Sequence, residues 1–324
     1  MQSLGTPRWA YTKGVHDLGN GVFAYLQPDG SWGWSNAGLV VDGDRSLLVD
    51  TLFDLPLTRE MLAALRDAAP RAAARIDTLV NTHANGDHCH GNELVVGAEI
   101  VASKATAEEM AAEGPEVLAG FKKAAPQMGA TGEFFLRAFG AFDFEGITPT
   151  LPTRTFSGEL ALAVGDRTVE LIEVGPCHTR GDVLVHVPDA KTVYTGDILF
   201  IDGTPIMWAG PVANWVAACE RMLDMDLETV VPGHGPITDR RGIAAVCDYL
   251  EYVTAETRKR YDAGLSPIEA ARDIALGDFD SWGDAERIVV NVATLYRELS
   301  DGAVVVDTVE LFGAMAAIAA DRRR

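Results

Sequence analysis

A chain of 324 residues, 48% apolar and 23% charged, can bury a full core and forms one large decorated domain or at most two. Its 27 basic and 47 acidic residues leave a net charge of −20, which repels phosphate backbones and anionic lipids. Nucleic acid and membrane partners are therefore set aside in favour of a small-molecule substrate, with homo-oligomerisation left open.

Four cysteines, at 89, 177, 219 and 247, form no Cys-x-x-Cys pair and suit a reducing compartment. Residues 1–21 lack a basic start followed by an apolar stretch, and no apolar run approaches ~18 residues. The expected location is cytoplasmic.

Taken in order, residues 1–20 read as polar and irregular, and Val22–Gln27 reads as a strand turned by Pro28-Asp29-Gly30. Trp32 and Trp34 flank a glycine in this hairpin-rich opening, where they either cap a core or wall a pocket. Ala37–Val41 resumes as a strand, and Ser46–Thr51 follows as a short buried one carrying Asp50. Met61, Leu62, Leu65 and Ala69 keep helical spacing up to Pro70. Ile76–Val80 and Glu99–Ala102 are further strands, which makes the pattern α/β.

Residues 104–148 interrupt that pattern with two or three expected helices. They hold six of the twelve phenylalanines, Phe135 and Phe139 among them. These rings either pack the insertion onto the body or form a lid that favours a large apolar or aromatic substrate. After Pro152 strands return at Thr168–Val174, Val183–Val187, Thr192–Thr195 and just before Pro232. Beyond Arg240 the chain is helical, with one apolar face at Ile243, Val246, Tyr249, Leu250 and Val253. A capping box with proline at the first helical position follows at Ser266–Glu269, and further helices are expected over Ile288–Leu299 and Thr308–Ala320. The expected organisation is a catalytic body over 1–240 and a helical extension over 241–324 packed on it.

The chemistry concentrates in residues 79–92, where an apolar strand end runs into His83, Asn85, Asp87, His88 and His90. Imidazoles and a carboxylate on one loop are what a borderline-soft divalent metal needs. His178, Asp197 and His234 each follow a later β run, beside or near glycine, which lets the backbone turn tightly and aim the side chain at a common point. His90 reads as a pocket-edge or solvent-facing residue, Cys89 and Cys177 as packing, and His16 and His186 as structural or exposed.

With His83-Ala-Asn85-Gly-Asp87-His88, then His178, Gly196-Asp197 and Pro232-Gly-His234-Gly, the chain resembles the metallo-β-lactamase-fold hydrolases over roughly residues 20–240. The resemblance implies an α/β fold of four layers, an αββα sandwich, here with the helical insertion and the C-terminal helices added. It implies one metal site at His83, Asn85 and His178, a second at Asp87, His88 and His234, and Asp197 bridging them. Asp50 would support the metal loop from behind.

Asn85 departs from the family, which has histidine there. An amide oxygen is a poorer zinc ligand than imidazole, so the first site is weakened. Two unequal zinc ions, or one, are expected, with iron or manganese also open.

The implied reaction is hydrolysis of an ester, thioester or lactone by hydroxide generated at a bound metal, with Asp87 and Asp197 as the catalytic carboxylates. Trp32, Trp34, Phe135 and Phe139 would wall the substrate pocket. Two alternatives stand beside it. Tyr25–Trp32, Ser35–Gly38 and the Asn85 loop resemble second-ring cyclases and thioesterases of aromatic polyketide pathways, which would use the same site to stabilise an enolate. The other alternative is a binding protein that kept the fold and lost turnover.

Overall fold

The computed structural model describes residues 3–322 and contains two facing β-sheets. The first sheet takes its strands in chain order: β1 (Gly14–Gly19), β2 (Val22–Leu26), β3 (Ala37–Asp42), β4 (Arg45–Val49), β5 (Thr78–Val80), β6 (Glu99–Ser103) and β7 (Arg154–Phe156). β1 to β4 form an antiparallel meander, and β4 to β7 run parallel. The second sheet orders β12 (Thr229–Val231), β11 (Thr192–Tyr194), β10 (Val183–Val187), β9 (Arg167–Glu173) and β8 (Glu159–Val164), with only β11–β12 parallel.

Side-chain alternation explains why the sheets stack. Val22, Ala24, Leu26, Leu47 and Val49 meet Val169, Leu171, Val183, Val185 and Tyr194 in one core between the sheets. The intervening Phe23, Tyr25 and Leu48 point the other way, onto Met61, Leu62 and Leu65 of α1 (Leu55–Ala68). Asp54 caps that helix by accepting from Leu57 N at 2.8 Å. On the far side Ile172, Leu184, Val193 and Val230 share a core with α6 (Val212–Asp224) and α7 (Arg240–Asp262). The order is helix, sheet, sheet, helix, which is the four-layer sandwich.

The short helical turn α2 (Gly86–Cys89) follows β5, and the insertion supplies α3 (Lys104–Ala112), α4 (Pro115–Ala124) and α5 (Gly129–Phe139). Beyond α7 come α8 (Pro267–Asp273), α9 (Ile288–Leu299) and α10 (Thr308–Asp321). The capping box at Ser266 and Glu269 is present. Asn291 of α9 ties the extension to the body. It donates to Pro205 O and the Tyr249 hydroxyl, both at 2.8 Å, and accepts from Met207 N at 2.7 Å. Its loss would orphan buried backbone groups at a cost of about 1–3 kcal/mol.

The expectation that residues 1–20 are irregular is overturned by β1. This edge strand offers only Val15 and Leu18 to the apolar clusters, too few for a readable alternation. β8 and α6 were likewise not anticipated. Among the described residues no helix is long and apolar enough to cross a membrane.

Candidate metal centre

The loops at one end of the sandwich converge. His83 and α2 follow β5, His178 lies between β9 and β10, Asp197 follows β11, and His234 follows β12. Two backbone bonds lock these loops together: Val183 N to Thr82 O at 2.9 Å and Gly233 N to Gly196 O at 2.8 Å. Gly233 passes so close that a Cβ there would sit 2.1 Å from Asp197 Oδ1, so only glycine permits this approach.

All four histidines are anchored the same way. His88 Nδ1 lies 2.9 Å from Asp50 Oδ2, His178 Nδ1 2.6 Å from Ile206 O, His234 Nδ1 3.0 Å from Gly30 O, and His83 Nδ1 3.0 Å from Thr82 Oγ1. Each ring thereby turns Nε2 towards Asp197. The separations are 3.1 Å for His88, 3.3 Å for His178, 3.5 Å for His234 and 3.7 Å for His83. Asp87 Oδ2 adds a second carboxylate 3.2 Å from His234 Nε2. An acceptor behind Nδ1 with Nε2 facing inward is how proteins orient metal-ligating histidines.

The polar accounting points the same way. His83 Nε2, His88 Nε2 and Asp197 Oδ1 are buried and make no hydrogen bond. Ligand atoms of His83, His88 and Asp197, and separately of Asp87, His88 and His234, lie within 4.8 Å of one another. Buried lone pairs without donors are costly unless a cation takes them, so the residues present fit a metal ion.

Electrostatics follows from burial and crowding. Burial presses His83 and His178 below the ordinary imidazole range. Burial also opposes charge on His234, but Asp197 and Asp87 outweigh it and carry His234 up to about 9. Burial alone would raise Asp87, yet His88 and His234 hold it down at about 2. Burial likewise works against charge on Asp197, but His234 and His88 outweigh it and hold its carboxyl well below the ordinary range, so both carboxylates are ionised at neutral pH.

Asn85 stands at the edge of this cluster with Nδ2 3.1 Å from His178 Nε2. Its amide N–H thus competes for the lone pair that a metal would use. Asp50 accepts from Thr82 N at 2.7 Å and Thr82 Oγ1 at 2.8 Å as well as facing His88. It stands behind the loop that carries His83 and His88.

A cavity of about 1060 Å³ opens onto the cluster. Trp32, Phe135 and Phe139 line it, together with Phe53, Phe121 and Phe312. Trp34 does not. Contrary to expectation it packs on Phe142 instead, with ring centroids 4.8 Å apart.

His90 is half-buried at the cavity wall, stacked 5.7 Å from Phe53. Cys89 and Cys177 are buried and donate to Ala84 O and Val174 O, away from the cluster. His16 bonds Thr12 O and His186 faces Glu170, both remote.

Several lining or supporting residues were not anticipated: Arg287 and Arg297 in the cavity wall, Ser35 holding Asp87 O at 2.5 Å, and Asp182 bracing the His178 loop. For Asp182 the sequence offers one signal, an acidic residue after Gly181 and four positions past His178.

Comparison with known proteins agrees with this geometry. The profile of the metallo-beta-lactamase superfamily matches residues 30–234. Acyl-coenzyme A thioesterase MBLAC2 of Bos taurus is 28% identical over 231 residues, 67% of this chain and 79% of that protein. The 2,4-dinitroanisole O-demethylase subunit alpha of Nocardioides sp. (strain JS1661) is 26% identical over 258 residues, 77% of this chain and 64% of that one. A metallo-beta-lactamase from Pontibacter korlensis shares the fold, with a TM-score of 0.56 over 74% of this chain and 99% of that one at 19% identity. With its two stacked sheets and a histidine–aspartate cluster at their common end, the chain belongs to the metallo-β-lactamase superfamily of metal-dependent hydrolases.

Proposed function

We propose that this hydrolase acts on an ester, thioester or lactone carbonyl attached to a bulky apolar or aromatic group. The observation that carries the reading is the convergence of four anchored Nε2 atoms and two ionised carboxylates at the floor of an aromatic-walled cavity. The acyl-CoA thioesterase relative supports the thioester form. The cavity is at the upper end of the size range for small-molecule sites, which suits a large acyl group.

Asp87, His88, His234 and Asp197 would hold one zinc ion tightly. His83 and His178, with Asn85 in place of a histidine, would hold a second more weakly. When bound, such a metal lowers the pKa of water towards ~7 and polarises a carbonyl oxygen.

The chain's own residues do the rest. Asp87 is ionised and lines the cavity, so it accepts a hydrogen bond from the attacking water and orients it. Asp197, buried beneath, faces the Nε2 atoms of His88, His178 and His234 and would share in holding the ion between them. Phe135, Phe139 and Trp32 bind the apolar part of the substrate and exclude bulk water from the carbonyl.

The test is a panel of chromogenic esters and thioesters with acyl groups from acetyl to naphthoyl, assayed with metal-loaded and chelator-treated protein. Chelator-sensitive turnover that rises with acyl size supports the reading; turnover indifferent to chelator sinks it. The aromatic wall also suits the ring-cyclase form of the same chemistry. That form would convert a poly-β-ketone thioester to a cyclic product without net addition of water, which product mass distinguishes.

A further inference from the structure

The segment Asp284–Arg287 lies far beyond the last histidine in sequence, yet it reaches the ring of His234 along two routes. The first passes through the loop that carries Gly30. Ser31 Oγ donates to Asp284 at 2.8 Å, and Trp32 Nε1 donates to Glu286 at 3.0 Å. The same loop presents the Gly30 carbonyl to His234 Nδ1 at 3.0 Å. Gly30 sits at φ +79°, and a Cβ there would lie 2.7 Å from Gly235 N, so the carbonyl's approach leaves no freedom for another residue.

The second route is a stack. The Arg287 guanidinium lies 4.5 Å from the Trp32 ring centroid and 5.0 Å from that of Phe200. Phe200 in turn lies flat on His234, with centroids 5.0 Å apart and 8° between the planes. Backbone pairing between Phe200 and His234, with Ile201 N bonded to His234 O at 3.0 Å, keeps the two rings in register. Arg287 is only 1% exposed. It pairs with Asp284 at 3.0 Å and donates to Thr204 O at 3.0 Å, and its Nε has no partner. A buried cation with an unmet donor is expensive as mere packing. Its location, one ring away from a metal-facing imidazole, gives it a different use.

We infer that Arg287 is a positioning residue for His234. Its cation–π stack holds Phe200 flat on the imidazole, while Asp284 and Glu286 clamp the loop whose carbonyl fixes the ring's tautomer. The C-terminal extension thereby sets the affinity of the site formed by Asp87, His88 and His234. This rests on the metal reading proposed above.

The experiment is calorimetric titration of metal-free full-length protein with Zn²⁺, for wild type, Arg287→Met and Ser31→Ala. Arg287→Met keeps a long side chain and removes the charge. Ser31→Ala removes only the hydroxyl bond to Asp284 at a half-buried position, so it keeps the test open if the arginine variant does not fold. The tighter zinc equivalent is expected to weaken 10–100-fold in Arg287→Met and several-fold in Ser31→Ala, with the weaker equivalent unchanged. A purely structural role would lower the melting temperature of the metal-free protein and leave both zinc constants in place; that result overturns the inference. Wild-type protein that takes up no zinc overturns the metal reading itself, and this inference with it.

Discussion

Asp50 Oδ2 stands 2.9 Å from His88 Nδ1, and Asp50 holds this position from a left-handed backbone at φ 63°. A non-glycine residue in that region is strained by about 1–3 kcal/mol, and aspartate is among the few that tolerate it. The strain is offset by three hydrogen-bonding contacts that Asp50 makes at the end of β4, two with Thr82 and one with His88. Asp50→Asn keeps the backbone preference but turns an N–H₂ towards one of these partners. We expect it to cost about 1.5–3 kcal/mol in the urea stability of the metal-free protein, as for a hydrogen bond to a charged group. Zinc affinity should fall 10–100-fold in the same variant. Unchanged stability and zinc binding would remove Asp50 from the site.

Asn85 sets the second test. Its Nδ2 lies 3.1 Å from His178 Nε2, where a ligand would be expected to leave that lone pair free. Equilibrium dialysis with elemental analysis should find one tightly held zinc ion per wild-type chain and a second held weakly. Asn85→His replaces a competing amide with an imidazole and should tighten the second ion at least ~10-fold. Two equally tight ions in wild type would show Asn85 to be a full ligand.

Asp182 gives the pH dependence. Burial pushes its carboxyl up to about 7, although Thr179 N, Thr179 Oγ1 and Cys177 N all donate to it. Below about pH 4 it is protonated in both folded and unfolded chains, and its contribution to stability is complete. Between about 4 and 7 the folded chain retains a proton that the unfolded chain has released, so stability falls as the pH rises, by up to ~1.4 kcal/mol per pH unit. Urea midpoints of metal-free protein across this window should show the fall in wild type and a shallower one in Asp182→Asn. Parallel slopes would place the titration elsewhere.

Phe135 is the acyl-group test. It lines the cavity and packs on Phe139 with ring centroids 5.1 Å apart and on Phe121 at 5.8 Å. Phe135→Leu removes aromatic contacts worth about 0.5–1.5 kcal/mol, a 2–10-fold loss in kcat/KM. The loss should fall on KM for naphthoyl and long-chain esters and spare acetyl esters. An equal loss for all esters would make Phe135 a purely structural residue.

The sequence made the strand ends and the histidine loops legible because each is local: an apolar run, a glycine, then a ligand-type side chain. The insertion's helices and the capping box at Ser266 were readable for the same reason. What it hid was held by groups that any residue can supply or by distant docking. The carbonyls of Gly30 and Ile206 orient two histidines, and a carbonyl leaves no trace in residue identity. Phe312 and Arg297 reach the cavity only because α9 and α10 fold back over it. Trp32 and Trp34 flank the same glycine, yet the loop sends one to the cavity and the other to Phe142, a choice that no periodicity encodes.

The division of the ligands between the sheets bears on when the site can come into being. His83, Asp87 and His88 follow a strand of the first sheet, whereas His178, Asp197 and His234 belong to loops of the second. Neither half alone presents a closed coordination set, and a nascent chain has synthesised through His234 before the last ligand exists. The two sheets must stack before these donors come together, so an ion would find its full complement only in the closed sandwich. Binding there would add free energy only to chains whose two sheets are already packed together.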